Sequence, residues 1–294
     1  AELTTLLSLR GYSPIRNACL ITSQLAGADV VVLIDDDEVF EDPHFMRRVW
    51  ESVSPDRPGV AGYYVEPTDD GRRVFLRHRV VPFWMRYWNK FHYQNQAFNQ
   101  IIGQSPRYKT TPFAFGGNMV MHRRLFTRVP FDPAVNRGED MDYVMNAKMF
   151  GTDFSLDNQL AITHLPPPRP HPKYQQLGED MRRFAYQRQK LLRQRPRSGM
   201  RTITPADLRP YPGYFLDRGY AMKVALTCVL LAVDYLRRGD LAGVFGAIAN
   251  LRFIHRPRVD AFGRLILLQR QWEALMAVLG DLPERDRYLP LARM

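Results

Sequence analysis

Asp29-Val30-Val31-Val32-Leu33-Ile34-Asp35-Asp36-Asp37-Glu38 is the stretch that decides the fold. A β-branched, almost wholly apolar run suits a strand covered on both faces, as in a parallel sheet. Four acids at its carboxyl end lie where open α/β sheets take their ligands. Just upstream, Ser13-Pro14 reads as a helix N-cap followed by proline at the first helical position. Ile15, Ala18, Cys19, Thr22 and Leu25 recur at helical spacing, and Gly27 stops that helix.

Working outward, Asp42-Pro43 opens a helix to about residue 53. Strands are predicted over 59–66 and 72–76, around the turn Asp69-Asp70-Gly71. Residues 82–115 read as irregular and aromatic. A short strand over 119–121 and a short helix over 123–126 follow Gly116-Gly117-Asn118. Glu139-Asp140-Met141-Asp142 opens a helix to about residue 150, and strands over 153–156 and 160–163 lead into His164. The proline run over 166–172 is stiff and extended, a boundary or the rim of a site. Helices are expected over 178–193, 220–237, 241–253 and 258–279. These elements divide the chain into an α/β unit, 1–172, and a helical extension, 173–294.

Composition narrows the function classes. With 45% apolar and 12% aromatic residues, a wholly disordered or collagen-like chain is excluded. Cys19 and Cys228 cannot build a disulfide framework, and no Cys/His spacing suits structural zinc, so a reducing, cytoplasmic location is expected. The sequence shows no basic–apolar leader at its start. Its longest apolar runs, 224–233 and 241–251, fall short of the ~20 residues that cross a bilayer. Net charge is +11, and 35 of the 41 basic residues are arginine, whose planar fork suits phosphate and carboxylate partners. Nucleic acid is disfavoured, because the arginines are spread along the chain and no recognition module is present.

The acids carry the chemistry. Adjacent carboxylates at a strand end repel one another, and a hard divalent cation, Mg²⁺ or Mn²⁺, relieves that repulsion. In extended backbone Asp35 and Asp37 point to the same side, so that one faces a nucleotide and the other a metal. An acidic surface turn is the alternative. Glu139, Asp140 and Asp142 are favoured in a first helical turn by the macrodipole alone, and also suit a general base. His164 is a candidate further metal ligand. Arg16-Asn17 fall in a first helical turn, where arginine meets a phosphate or ribose. Gly116-Gly117 permits close approach of backbone to a ligand.

The order of these motifs resembles the inverting family 2 glycosyltransferases of the GT-A fold. The resemblance spans about residues 10–165. It rests on Arg16-Asn17, the strand into Asp35-Asp36-Asp37, Gly116-Gly117-Asn118 with Arg123-Arg124-Leu125-Phe126, Phe131-Asp132-Pro133, Gly138-Glu139-Asp140 and His164. The family's first strand, helix and second strand, which form the nucleotide-base pocket, have no counterpart in this sequence.

What the resemblance implies is a GT-A mixed sheet flanked by helices, and metal-dependent sugar transfer from a nucleoside diphosphate sugar to a hydroxyl of a saccharide or lipid-linked acceptor. Asp37, with Asp35 and His164, would hold Mn²⁺ or Mg²⁺. Arg16, Asn17, Asp35, Asp36, Gly116, Gly117 and Asn118 would line the donor site. Asp140 would be the base, Glu139 its orienting partner and Asp142 the fallback. Trp84 and Trp88 would stack on an acceptor sugar, unless they are core residues.

Rival readings are a retaining transferase, a metal-dependent nucleotidyl- or phosphotransferase, and a non-catalytic basic binding protein. Arg182, Arg183, Arg188, Lys190, Arg193, Arg195 and Arg197 near Phe184, Leu191 and Leu192 would form a basic amphipathic face, suited to peripheral contact at the cytoplasmic face of the inner membrane. The arginine- and alanine-rich usage points to a bacterial source.

Overall fold

A computed structural model describes residues 10–68, 71–73, 81–165, 172–255 and 259–282. The chain is mixed α/β, with an open mixed sheet between helices and a helical C-terminal part, the class expected from the sequence. Its helices are α1 (Tyr12–Leu25), α2 (Phe45–Ser52), α3 (Lys90–Ile101), α4 (Arg123–Phe126), α5 (Glu139–Met149), α6 (Lys173–Arg193), α7 (Tyr220–Arg237), α8 (Leu241–Ala249) and α9 (Ala261–Gly280). Its strands are β1 (Val30–Leu33), β2 (Glu38–Val39), β3 (Gly59–Thr68), β4 (Gly71–Arg73), β5 (Tyr108–Thr111), β6 (Met119–His122) and β7 (Phe154–His164).

The strand order is β1-β6-β3-β7-β2, with β4 on β3 and β5 on β7. Only β3 and β7 run parallel among the described pairs, and their register shifts between Ala61 and Tyr63. β1 corrects the expectation of a strand inside a parallel sheet. It pairs antiparallel with β6, Val30 opposite His122 and Leu33 opposite Met119, and lies at the end of the strand order. Its unbroken apolar run has a different cause: both faces are covered. Val31 and Leu33 join the main core, while Val30 and Val32 pack against Phe45, Val49, Val60, Val120 and Leu160 on the other side.

Ser13 is not the cap of α1. The helix begins at Tyr12 after Gly11, and the Ser13 hydroxyl is buried, donating to the Val135 carbonyl at 2.6 Å. The buried face of α1 is largely polar, and most of its side-chain groups have partners. Asn17 clasps the Phe131 backbone, and the Gln24 amide donates to the Met276 carbonyl. Gly27, at φ 68°, ends the helix as expected.

Residues 82–115 are more ordered than the sequence indicated. They hold a 3₁₀ turn, Phe83–Tyr87, then α3 and β5. The start signal of α3 is legible afterwards: Asn89 caps it by accepting from the His92 amide. The turn over residues 69–70 and the proline run over 166–171 lie outside the described residues, as does most of the strand expected over 72–76.

One apolar cluster runs from Leu20 through the sheet to Trp272 and Met276. α9 is tied across it, Trp272 Nε1 donating to the Phe126 carbonyl at 2.8 Å. Trp84 and Trp88 belong to this core. Trp88 is 2% exposed, with its ring against Phe184, Phe215 and Tyr220, so neither indole offers a face to a sugar. The basic amphipathic face expected on α6 is formed only in part, Arg182, Leu192 and Arg193 being exposed. Phe184 and Leu191 are core residues, Arg183 and Lys190 are buried in ion pairs, and the face of α6 that carries them looks inward.

Candidate active site

β1 and the turn after it deliver Asp35, Asp37 and Glu38 to one place. One carboxylate oxygen from each lies within 4.8 Å of the others. The backbone folds back here, the Asp35 amide donating to Glu38 at 2.8 Å. β2 then pairs Glu38 with His164 at the end of β7. The His164 ring stacks on Tyr64 at 4.7 Å, and its Nε2 is 3.4 Å from Asp37. Asp36 is exposed and is not part of this group.

Glu38 is the member that sequence reasoning passed over, although it was in the quoted acidic run. Its carboxylate is wedged between Tyr64 and Gly117, where a Cβ on Gly117 would overlap it. Burial pushes it up to about 7, and Asp35 and Asp37 add to the shift, while its bond with Tyr64 opposes it. Its Oε1 is buried without a hydrogen-bond partner. An orphaned carboxylate oxygen beside two further carboxylates is a hard donor set that fits a divalent cation. Tyr64, which no sequence signal marked, supports the group: its hydroxyl accepts from the Gly117 amide at 2.9 Å.

Arg16 joins the two acidic clusters. It is 6% exposed. Its guanidinium reaches Asp35 at 2.9 Å, Glu139 at 3.0 Å and the Gly116 carbonyl at 2.6 Å. Burial alone would lower its pKa; Glu139, Asp35 and Asp140 outweigh that and hold it charged. Gly116 is glycine because a Cβ there would overlap the same guanidinium. The close approach expected of Gly116-Gly117 is therefore to Arg16 and Glu38 of the chain itself.

α5 begins at Gly138, in the left-handed region at φ 69°, and its first turn presents Glu139 and Asp140. Asp140 accepts from the Gly116 amide at 3.2 Å and from the Met141 amide at 2.7 Å. Burial raises it; the Met141 amide, Arg183 and Arg16 pull the other way, and Asp35 adds to the rise. Burial and Asp140 push Glu139 up to about 7 against the pull of Arg16. Arg183, from α6, lies over Gly138 and is fixed by Asp180 at 3.0 Å and the Tyr211 hydroxyl at 3.1 Å. Two arginines from distant elements thus flank one carboxylate.

Three residues assigned to the site from sequence lie behind it. Asn17 spends both amide atoms on Phe131. Asn118 is fully buried, donating to the Tyr63 and Leu160 carbonyls and filling the space left by Gly62. Asp142 is corrected as a fallback base. Two residues on from Asp140, it lies ~200° round the helix. It is fully buried, held by Lys190 at 2.7 Å and Asn146 at 2.8 Å.

No protein-family model matches this sequence, and no curated protein does. Among solved structures, it aligns with a mannosyltransferase, PcManGT from Pyrobaculum calidifontis, in complex with GDP-Man and Mn²⁺. The alignment covers 92% of this chain at 16% identity with a TM-score of 0.43. It spans 64% of the length of that chain. At that identity and score, the likeness assigns neither substrate nor mechanism to this chain.

Proposed function

We propose that this protein transfers a sugar from a nucleoside diphosphate sugar to an acceptor hydroxyl, with inversion and with Asp140 as general base. One observation carries the reading. Arg16, Asp35, Gly116, Glu139 and Asp140, spread over more than 120 residues, form one hydrogen-bonded group beside the Asp35–Asp37–Glu38 trio. A structural acidic turn needs no such convergence, whereas a transferase must bring a donor-binding group and a base to one place.

Asp35, Asp37 and Glu38 would hold Mn²⁺ or Mg²⁺, with His164 beside Asp37. When bound, the ion supplies charge neutralisation for the departing diphosphate. Arg16 keeps Asp35 and Glu139 in place and lends positive potential to the donor site. Asp140, fixed by two backbone amides, accepts the acceptor's proton as its oxygen attacks the anomeric carbon. Glu139 holds the Arg16 fork and raises the local proton affinity. The acceptor is a saccharide or a lipid-linked saccharide. The α/β unit, 1–172, is the catalytic part and 173–294 its helical extension. We place the protein in the cytoplasm, where its two unpaired thiols, Cys19 and Cys228, would be retained.

The test is Asp140→Asn with Mn²⁺ and a panel of nucleotide sugars. We expect turnover to fall by at least ~10²-fold with donor affinity unchanged. Turnover that survives the substitution would point to a retaining reaction, and release of pyrophosphate instead of nucleoside diphosphate to a nucleotidyltransferase.

A further inference from the structure

α7 is apolar on two opposite faces. Val224, Cys228, Leu231 and Tyr235 are buried in the core. On the other side Met222, Val229, Val233 and Leu236 lie within a 60° sector and are all exposed, Leu236 to 60%. The stripe runs about 21 Å along the helix, from the rise of 1.5 Å per residue. α8 packs back against α7, with Gly243 seated on the Tyr235 ring, and its outward residues continue the pattern: Leu241 is 60% and Phe245 71% exposed. A helix apolar all round is normally covered, and exposed apolar surface this continuous marks an interaction site.

The charges around the stripe select its occupant. Arg237 and Arg238 close α7, Arg86 lies on the 3₁₀ turn packed beside it, and Arg252 follows α8; all are exposed. The Arg237 guanidinium lies 5.1 Å from the Phe83 ring at that end. The two acids of this hairpin are occupied, Asp234 by Arg238 at 2.7 Å and Asp240 by the Gly243 amide it caps. Arg86, Arg237 and Arg252 have no acidic partner among the described residues, and apolar side chains rimmed by such arginines complement a surface that is apolar inside and anionic at its edge. No helix among the described residues is long and apolar enough to cross a membrane, and Lys223 on the inner face of α7 is pinned to Asp217. The helices would lie on a bilayer, not through it.

We propose that the outer face of α7 and α8 docks on an anionic phospholipid bilayer. The inference stands apart from the transferase reading, because none of these residues touches the acidic site.

The experiment is flotation of the full chain with phosphatidylcholine vesicles, with and without phosphatidylglycerol, at low and high salt. Binding is expected only to the anionic vesicles, and should fall at least five-fold at high salt. It should fall as far for Leu236→Asp/Phe245→Asp, whose exposed positions leave the melting temperature unchanged. Arg237→Ala/Arg238→Ala provides a second variant that does not disturb packing, and should also weaken flotation. Absence of binding to either vesicle would overturn the proposal. So would binding that both variants retain, or a dimer in solution that Leu236→Asp/Phe245→Asp dissociates with no flotation in the wild type.

Discussion

At the scale of single residues, the candidate site is a set of side chains that occupy one another's space. Gly117 is one instance, since a Cβ there would collide with the Glu38 carboxylate. Gly117→Ala is expected to displace Glu38, weaken Mn²⁺ binding at least ten-fold in a metal titration, and cost roughly 1–3 kcal/mol in urea unfolding. Unchanged metal affinity would remove Glu38 from the ligand set. The pH dependence follows from burial. Asp140 must be ionised to take a proton, and its raised pKa puts the acid limb of kcat/KM above the ordinary carboxylate range, with activity lost as pH falls through it. Glu139→Gln removes a carboxylate that competes with Asp140 for ionisation, so Asp140 ionises more readily and the limb moves to lower pH. A limb that stays put would separate Glu139 from the base.

At the scale of elements, α5 and α6 are locked by charges the catalytic reading does not use. Lys190 is fully buried and lies 2.7 Å from both Asp132 and Asp142. Lys190→Met leaves two facing carboxylates without their cation and should cost ~3–5 kcal/mol, read by denaturant unfolding. A loss under ~1 kcal/mol would show that the carboxylates simply protonate. This scale also shows what the sequence made legible. The run from Val30 to Glu38 announced its strand and the candidate site because pattern and chemistry coincide within ten residues. Gly138-Glu139-Asp140 did so because a left-handed glycine and a helix start share one motif. Asp142 was misread because three acids in a row of four look equivalent until helical phase separates them. Tyr64 and Arg183 gave no signal, since their roles depend on which strand and helix come to lie beside β1 and α5. Trp84 and Trp88 stayed open between sugar stacking and core for the same reason: the residues packed on Trp88, Phe184, Phe215 and Tyr220, lie about a hundred or more positions downstream.

At the scale of the whole molecule, the sheet and the C-terminal helices share one core, and Arg183 of α6 adds positive charge beside Asp140, the proposed base. A chain ended at residue 172 would uncover Trp88 and Phe126, each at most 2% exposed in the full chain. It is expected to aggregate, which analytical ultracentrifugation would read, and a monodisperse folded product would show that the α/β unit stands alone. The claim on which the account rests is a metal-dependent nucleotide-sugar site at Asp35, Asp37 and Glu38. The most direct measurement is the thermal unfolding of the chain with UDP-, GDP- and TDP-sugars, with and without Mn²⁺, beside Asp37→Ala. The account predicts a rise in melting temperature for one nucleotide class that needs the metal and vanishes in the variant. No rise with any nucleotide sugar, or one that persists without metal and in Asp37→Ala, would contradict it.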